Sequence, residues 1–156
     1  MLKPPPFADE LNRRQAQIEP VALEAFTGTL VDADLFVLAA PLTSETESMV
    51  AEAQLRAMKY DAWLVNVARG RLVRTDDLVK ALAQRWIAGA GLDVTEPEPL
   101  PAEHPLWQLD NCIITSHTAN PPNLDQDLYR GRIVENVRRF LSGQPRLGVV
   151  DRRAGY

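Results

Sequence analysis

Leu35-Phe36-Val37-Leu38-Ala39-Ala40 is an unbroken apolar run, and Pro41 closes it. A short run with no polar interruption suits a strand buried on both faces, as in a parallel sheet. Immediately after it, Thr43 and Ser44 offer an N-cap with Glu47 as a capping-box partner. Val50, Ala53, Leu55 and Met58 then follow at helical spacing. Trp63-Leu64-Val65-Asn66-Val67 predicts a second strand, ended by Ala68-Arg69-Gly70. Thr75 is expected to cap a helix whose apolar side holds Leu78, Val79 and Leu82. Ile87 to Val94 predicts a third strand, softened by Gly89 and Gly91 and followed by a proline-rich loop. Cys112-Ile113-Ile114-Thr115 predicts a fourth strand, ended by Ser116-His117. Residues 122–141 predict a long helix carrying Leu124, Leu128, Ile133, Val134, Val137, Phe140 and Leu141, with Gly143 as its stop. Strands alternating with helices in this way predict an α/β fold with a parallel sheet.

The 156 residues suit one domain, and an apolar fraction of 46% supports a packed core. Pro4-Pro5-Pro6 and Pro20 make residues 1–20 an expected irregular tail, leaving residues 21–150 as the domain and 151–156 as a C-terminal tail. Net charge is −4 and the basic residues are scattered, which argues against a nucleic-acid partner. The Arg130 to Arg139 cluster sits at helical spacing around Glu135 and reads as a solvated helix face. With one cysteine and two histidines, neither a disulfide framework nor a structural zinc site is expected, and the metal expectation is none. No stretch approaches the ~20 apolar residues of a membrane helix. Asp9 and Glu10 interrupt any leader-like pattern, so the expected setting is cytoplasmic.

In an open parallel sheet, ligands bind beyond the carboxyl ends of the strands. Here those ends are Pro41-Leu42-Thr43, Ala68-Arg69-Gly70, Asp93 with Glu96 and Glu98, and Ser116-His117-Thr118. One cation, several carboxylates and one imidazole thus share a rim. That set suits acid–base chemistry on an anion: Arg for a carboxylate, His for proton transfer, and an acid to stabilise the charged imidazole.

These stretches also resemble a known family. Val37–Thr46 resembles its strand and Pro-Leu-Thr turn, and Asn66-Val67-Ala68-Arg69-Gly70 its Asn-x-x-Arg-Gly signature. Ala90-Gly91-Leu92-Asp93-Val94, Glu98-Pro99-Leu100-Pro101 and His104-Pro105-Leu106-Trp107 resemble its next block, and Asp110 to His117 its last strand. The family is that of the D-isomer-specific 2-hydroxyacid dehydrogenases, in the branch of glycerate/hydroxypyruvate reductases and phosphoglycerate dehydrogenase-like proteins. The resemblance implies a partial Rossmann-type sheet of the NAD-binding domain. It also implies NAD or NADP as cofactor, NAD favoured, and a small 2-hydroxy or 2-oxo acid as substrate. Arg69 would bind the substrate carboxylate, His117 would exchange the proton, and Glu98 would hydrogen-bond the imidazole. Asp93 would meet the nicotinamide carboxamide, Val67 and Ala68 would offer backbone groups, and Pro41 would shape the pocket. Glu96 competes with Glu98, whose spacing from His117 fits better. His104 is expected to be structural and Trp107 a packing anchor. Arg74-Thr75-Asp76 stands where members often have an Asp directly after Val73, which predicts a local change at the helix start.

The family's Gly-x-Gly-x-x-Gly fingerprint has no counterpart among the glycines at 28, 70, 89, 91, 131, 143, 148 and 155. The phosphate cradle and the acid that selects NAD are expected to be absent with it. A partial dehydrogenase follows as the expectation, with Leu35–Ala40 at a sheet edge and either a homo-oligomer or a partner supplying the N-terminal half. The alternative is a catalytically inactive remnant, an interaction module with weak or no cofactor binding. A flavodoxin-like or response-regulator domain fits the alternation but lacks the acidic pocket or flavin loop.

Overall fold

The computed structural model describes residues 25–118 and 122–153, with the side chains of 122–128 left aside. The expected tail at 1–20 and the positions Leu124 and Leu128 therefore lie outside the described residues. The core is a four-stranded parallel sheet in sequential order. Its strands are β1 (Leu35–Leu38), β2 (Trp63–Asn66), β3 (Gly89–Leu92) and β4 (Cys112–Ile114). Helices are α1 (Phe26–Thr29), α2 (Glu52–Ala57), α3 (Thr75–Ala83) and α4 (Pro122–Leu141), with 3-10 turns at Gly70–Leu72 and Pro105–Gln108. Each strand is shorter than its apolar run because the run's last residues turn away to form the rim.

Side chains alternate across a strand, so the register sorts the sheet into two faces. Leu38 and Leu64, with Ala90 and Leu92, join Leu55 of α2 and Leu78, Ala81 and Leu82 of α3 in one buried cluster. Fully burying each such leucine is worth about 1.5–3 kcal/mol. The opposite face is open among the described residues: Leu35 is 58% exposed, Val37 48% and Ile113 59%. This corrects the reading of β1 as buried on both faces. An apolar run cannot reveal which of its two faces finds a cover. On that open side Trp63 lies over Gly89, where a Cβ would come within 2.6 Å of the indole ring.

The start of α2 also differs from expectation. Ser44 and Glu47 form no capping box; residues 44–48 are a turn, and the helix begins at Glu52. Its cap comes from α3. Asp77 is buried, and its Oδ2 accepts the backbone N–H of Glu52 at 3.1 Å. A carboxylate there also meets the positive end of the helix dipole. Val50, expected in the helix, instead bridges Val73 in parallel fashion. Thr75 does not cap α3 either: Arg74 is the N-cap residue, and the Thr75 hydroxyl donates to the Glu96 carbonyl at 2.6 Å. The long helix ends as expected, with Gly143 at φ +69° and its N–H donating to the Phe140 carbonyl. Along α4, Ile133, Val134, Val137, Phe140 and Leu141 are all exposed. Among the described residues no helix is long and apolar enough to cross a membrane.

Candidate active site

The rim is assembled by hydrogen bonds that cross from one strand end to the next. After β1, the Thr46 hydroxyl donates to the Pro41 carbonyl at 2.7 Å and accepts the Thr43 N–H at 2.8 Å. This closes the Pro41-Leu42-Thr43 turn and fixes the wall that Pro41 presents.

After β2, Asn66 governs the geometry. It is 1% exposed, its Oδ1 accepts the Ala68 N–H at 3.0 Å, and its Nδ2 donates to the Arg69 carbonyl at 2.9 Å. A buried amide must satisfy both ends, and here both are satisfied by the turn that carries Arg69. The Arg69 side chain is exposed, with Nη1 donating to the Ala68 carbonyl at 2.6 Å. Pro41, Val67, Ala68 and Arg69 all line one cleft of about 680 Å³, completed by Ala39, Ala40 and Leu42. Four of the residues read from the sequence thus meet there.

Gly70 joins this turn to the next. A Cβ on Gly70 would sit 2.0 Å from the Thr95 carbonyl oxygen. Only glycine permits the Arg69 turn to press against the 95–99 loop. In that loop the Thr95 hydroxyl donates to the Pro97 carbonyl at 2.9 Å, and the peptides before Pro97 and Pro99 are cis.

The loop delivers Glu98. Its Oε1 lies 2.6 Å from Nδ1 of His117, both side chains being partly exposed. The contact ties the 95–99 loop to the segment after β4. His117 has φ +56°, an uncommon left-handed geometry for a residue with a Cβ. Glu96 contributes its backbone carbonyl to Thr75, and it is Glu98 that pairs with the imidazole. Asp93 is half-buried beside them; its N–H donates to the Asn66 carbonyl, and its Oδ1 accepts the Thr115 hydroxyl at 2.5 Å. Asp93, Glu98 and His117 do not line the Arg69 cleft.

His104 caps the 3-10 turn at Pro105–Gln108, its Nδ1 accepting the Leu106 N–H. Trp107 departs from its expected packing role: the residue is 48% exposed, and its indole N–H donates to the Pro101 carbonyl. Among the described residues no group of three His, Cys, Asp or Glu side chains could hold a metal ion. Cys112 is a free thiol whose pKa burial pushes up to about 11. Asn66, Gly70 and Thr115 carried no role in the sequence reading. A polar residue inside an otherwise apolar strand, and its place in the Asn-x-x-Arg-Gly stretch, are the signals that point to Asn66.

Residues 7–119 match the family described as D-isomer specific 2-hydroxyacid dehydrogenase, NAD binding domain, a match that begins upstream of residue 21. The chain is 46% identical over 138 residues to an uncharacterized protein in the proB 3' region of Corynebacterium melassecola, covering 88% of this chain and 45% of that protein. It is 40% identical over 131 residues to a glyoxylate reductase of Korarchaeum cryptofilum, covering 84% and 39%. Among solved structures, a D-isomer specific 2-hydroxyacid dehydrogenase from Xanthobacter autotrophicus Py2 in complex with NADPH and MES superposes with a TM-score of 0.79 at 41% identity, covering 86% of this chain and 43% of that one. The chain therefore spans less than half the length of these relatives. With its parallel sheet and this family match, the chain belongs to the D-isomer specific 2-hydroxyacid dehydrogenases, within their NAD binding domain.

Proposed function

We propose that the chain carries the substrate-binding and proton-transfer part of an NAD(P)-dependent 2-hydroxyacid dehydrogenase. The observation that supports it most is the 2.6 Å pairing of His117 Nδ1 with Glu98. In this reading the Arg69 guanidinium grips the carboxylate of a small 2-oxo acid as a two-pronged donor. His117 releases its Nε2 proton to the carbonyl oxygen as the carbonyl carbon is reduced, and takes it back from the hydroxyl in the reverse direction. Glu98 holds the imidazole in place through Nδ1. The cofactor supplies the hydride that makes the 2-oxo acid a 2-hydroxy acid.

The residues present suit the nicotinamide end of that cofactor. Pro41, Val67 and Ala68 wall the cleft, and Asp93 has Oδ2 without a partner among the described residues. A Gly-x-Gly-x-x-Gly loop is not in the sequence, and Gly89 and Gly91 are committed to β3. The groups that hold the cofactor's phosphates therefore come from outside these residues, through further chain or a partner. The open face bearing Leu35, Val37 and Ile113 supports a partner or a second copy covering it. The free Cys112 thiol fits a reducing, cytoplasmic setting.

The test is oxidation of NADH or NADPH with glyoxylate, hydroxypyruvate or pyruvate, using the chain together with the N-terminal part of a relative. Turnover lost in Arg69→Ala and His117→Ala supports the reading, and no turnover in the complemented wild type contradicts it. The open apolar face also favours a second reading, an interaction module with weak cofactor binding. NADH fluorescence titration of the chain separates the two: a complemented chain that binds no NADH while still engaging its partner favours the module.

A further inference from the structure

The catalytic and cofactor readings rest on different strands, His117 after β4 and Asp93 after β3. One side chain joins them. Thr115 sits two residues before His117, and its backbone N–H donates to the Leu92 carbonyl at 2.9 Å. That bond docks the start of the His117 segment on the end of β3. The Thr115 hydroxyl then reaches Oδ1 of Asp93 at 2.5 Å. No other described side chain bonds to that carboxylate.

We propose that Thr115 is a positioning residue. Its hydroxyl pins Oδ1 of Asp93, so that Oδ2 is presented to the amide N–H of a carboxamide-bearing ligand. A carboxylate on a half-exposed strand end otherwise rotates freely about its last bond. With Oδ1 engaged, only Oδ2 is left to accept, and one orientation of the incoming amide is selected. Because Thr115 and His117 belong to one short segment, the same bond sets the spacing between the carboxamide site and the proton-exchanging imidazole. This inference rests on the proposed role of Asp93 and adds to it the residue that makes that role directional.

The test uses the full chain and two small probes: reduced nicotinamide mononucleotide and its 3-acetylpyridine counterpart, which lacks the amide N–H. Each probe lacks the adenosine half and carries one phosphate in place of the pyrophosphate that the absent fingerprint would hold. Binding is followed by backbone amide shifts in NMR titrations for wild type, Thr115→Val, Thr115→Ser and Asp93→Ala. Thr115→Val keeps the side-chain shape and removes the hydroxyl. We expect it to weaken the carboxamide probe about tenfold, the worth of a hydrogen bond to a charged group. Thr115→Ser should restore wild-type binding, and the acetyl probe should be indifferent to all three substitutions.

The outcomes separate the inference from the reading it rests on. If Asp93→Ala weakens the carboxamide probe and Thr115→Val does not, Thr115 has no positioning role. If Thr115→Val weakens both probes equally, its effect is general and the inference also fails. If Asp93→Ala leaves the carboxamide probe unaffected, the cofactor reading of Asp93 is itself wrong and the inference goes with it.

Discussion

Nδ1 of His117 lies 2.6 Å from Oε1 of Glu98, although one follows β4 and the other sits in the loop after β3. Both side chains are about two-fifths exposed, at 44% and 40%. A contact so placed contributes little to folding, about 0–1 kcal/mol. Its value in the account is chemical, so Glu98→Gln should separate stability from activity. The expected result is a melting temperature within about 2 °C of wild type. Turnover in the complemented enzyme should fall about 10²-fold, the low end for general acid–base assistance. Paired thermal melts and steady-state rates check both parts.

Asn66 should behave in the opposite way, because it is buried and fully committed. Asn66→Ala removes an acceptor from Ala68 and a donor from Arg69 in a water-poor site. Leaving those groups unmatched should cost about 2–4 kcal/mol in urea denaturation. Asn66→Asp keeps the acceptor for Ala68 but sets a second carboxylate oxygen against the Arg69 carbonyl, acceptor facing acceptor in a buried site, so its cost should be at least as large. In the complemented enzyme the residual effect should fall on KM for the 2-oxo acid, since it is the Arg69 turn that loosens.

Gly70 and Gly28 form a matched pair. A Cβ at position 70 would meet the Thr95 carbonyl at 2.0 Å, whereas at position 28 nothing lies within 4 Å. Gly70→Ala should destabilise by about 1–3 kcal/mol or more, because backbone must move. Gly28→Ala should be neutral or slightly stabilising, by up to about 1 kcal/mol, within α1. Equal effects at the two positions in chemical denaturation would contradict the packed contact between the Arg69 turn and the Glu98 loop.

Burial raises the Cys112 thiol from the ordinary 9.0 to about 11. Burial penalises the thiolate, so at pH 8 the folded protein holds a neutral, slow-reacting thiol. Alkylation by iodoacetamide should stay slow at pH 8 and accelerate as pH rises toward 11. Linkage gives the same sign for stability. Below pH 9 both states are protonated and nothing is lost. Between 9 and 11 the unfolded chain binds fewer protons, so stability falls across that window. Cys112→Ala should flatten this part of the stability profile.

Much of the sheet is legible in the sequence because each strand is an apolar run closed by a turn residue, as at Pro41 and at Arg69-Gly70. The rim is legible for the same reason: a parallel sheet sends every strand end to one side. The helix starts are not. Asp77 caps α2 from 25 residues away, and Thr75 spends its hydroxyl on Glu96. Local capping patterns near Ser44 and Thr75 carry no trace of partners so distant. One-sided burial of β1 is equally hidden, since Leu35 and Leu38 look alike until the register assigns them to opposite faces. Spacing from His117 favours Glu98 over Glu96, and the 2.6 Å contact with His117 supports the same choice.

The role proposed for His117, paired with Glu98, is exchange of the substrate proton. Its most direct test is the rate of NADH or NADPH oxidation with glyoxylate by the complemented chain, compared between wild type and His117→Ala. We expect measurable turnover in wild type and a loss of at least about 10²-fold in the variant, with the fold retained. A His117→Ala protein that turns over at the wild-type rate would contradict it.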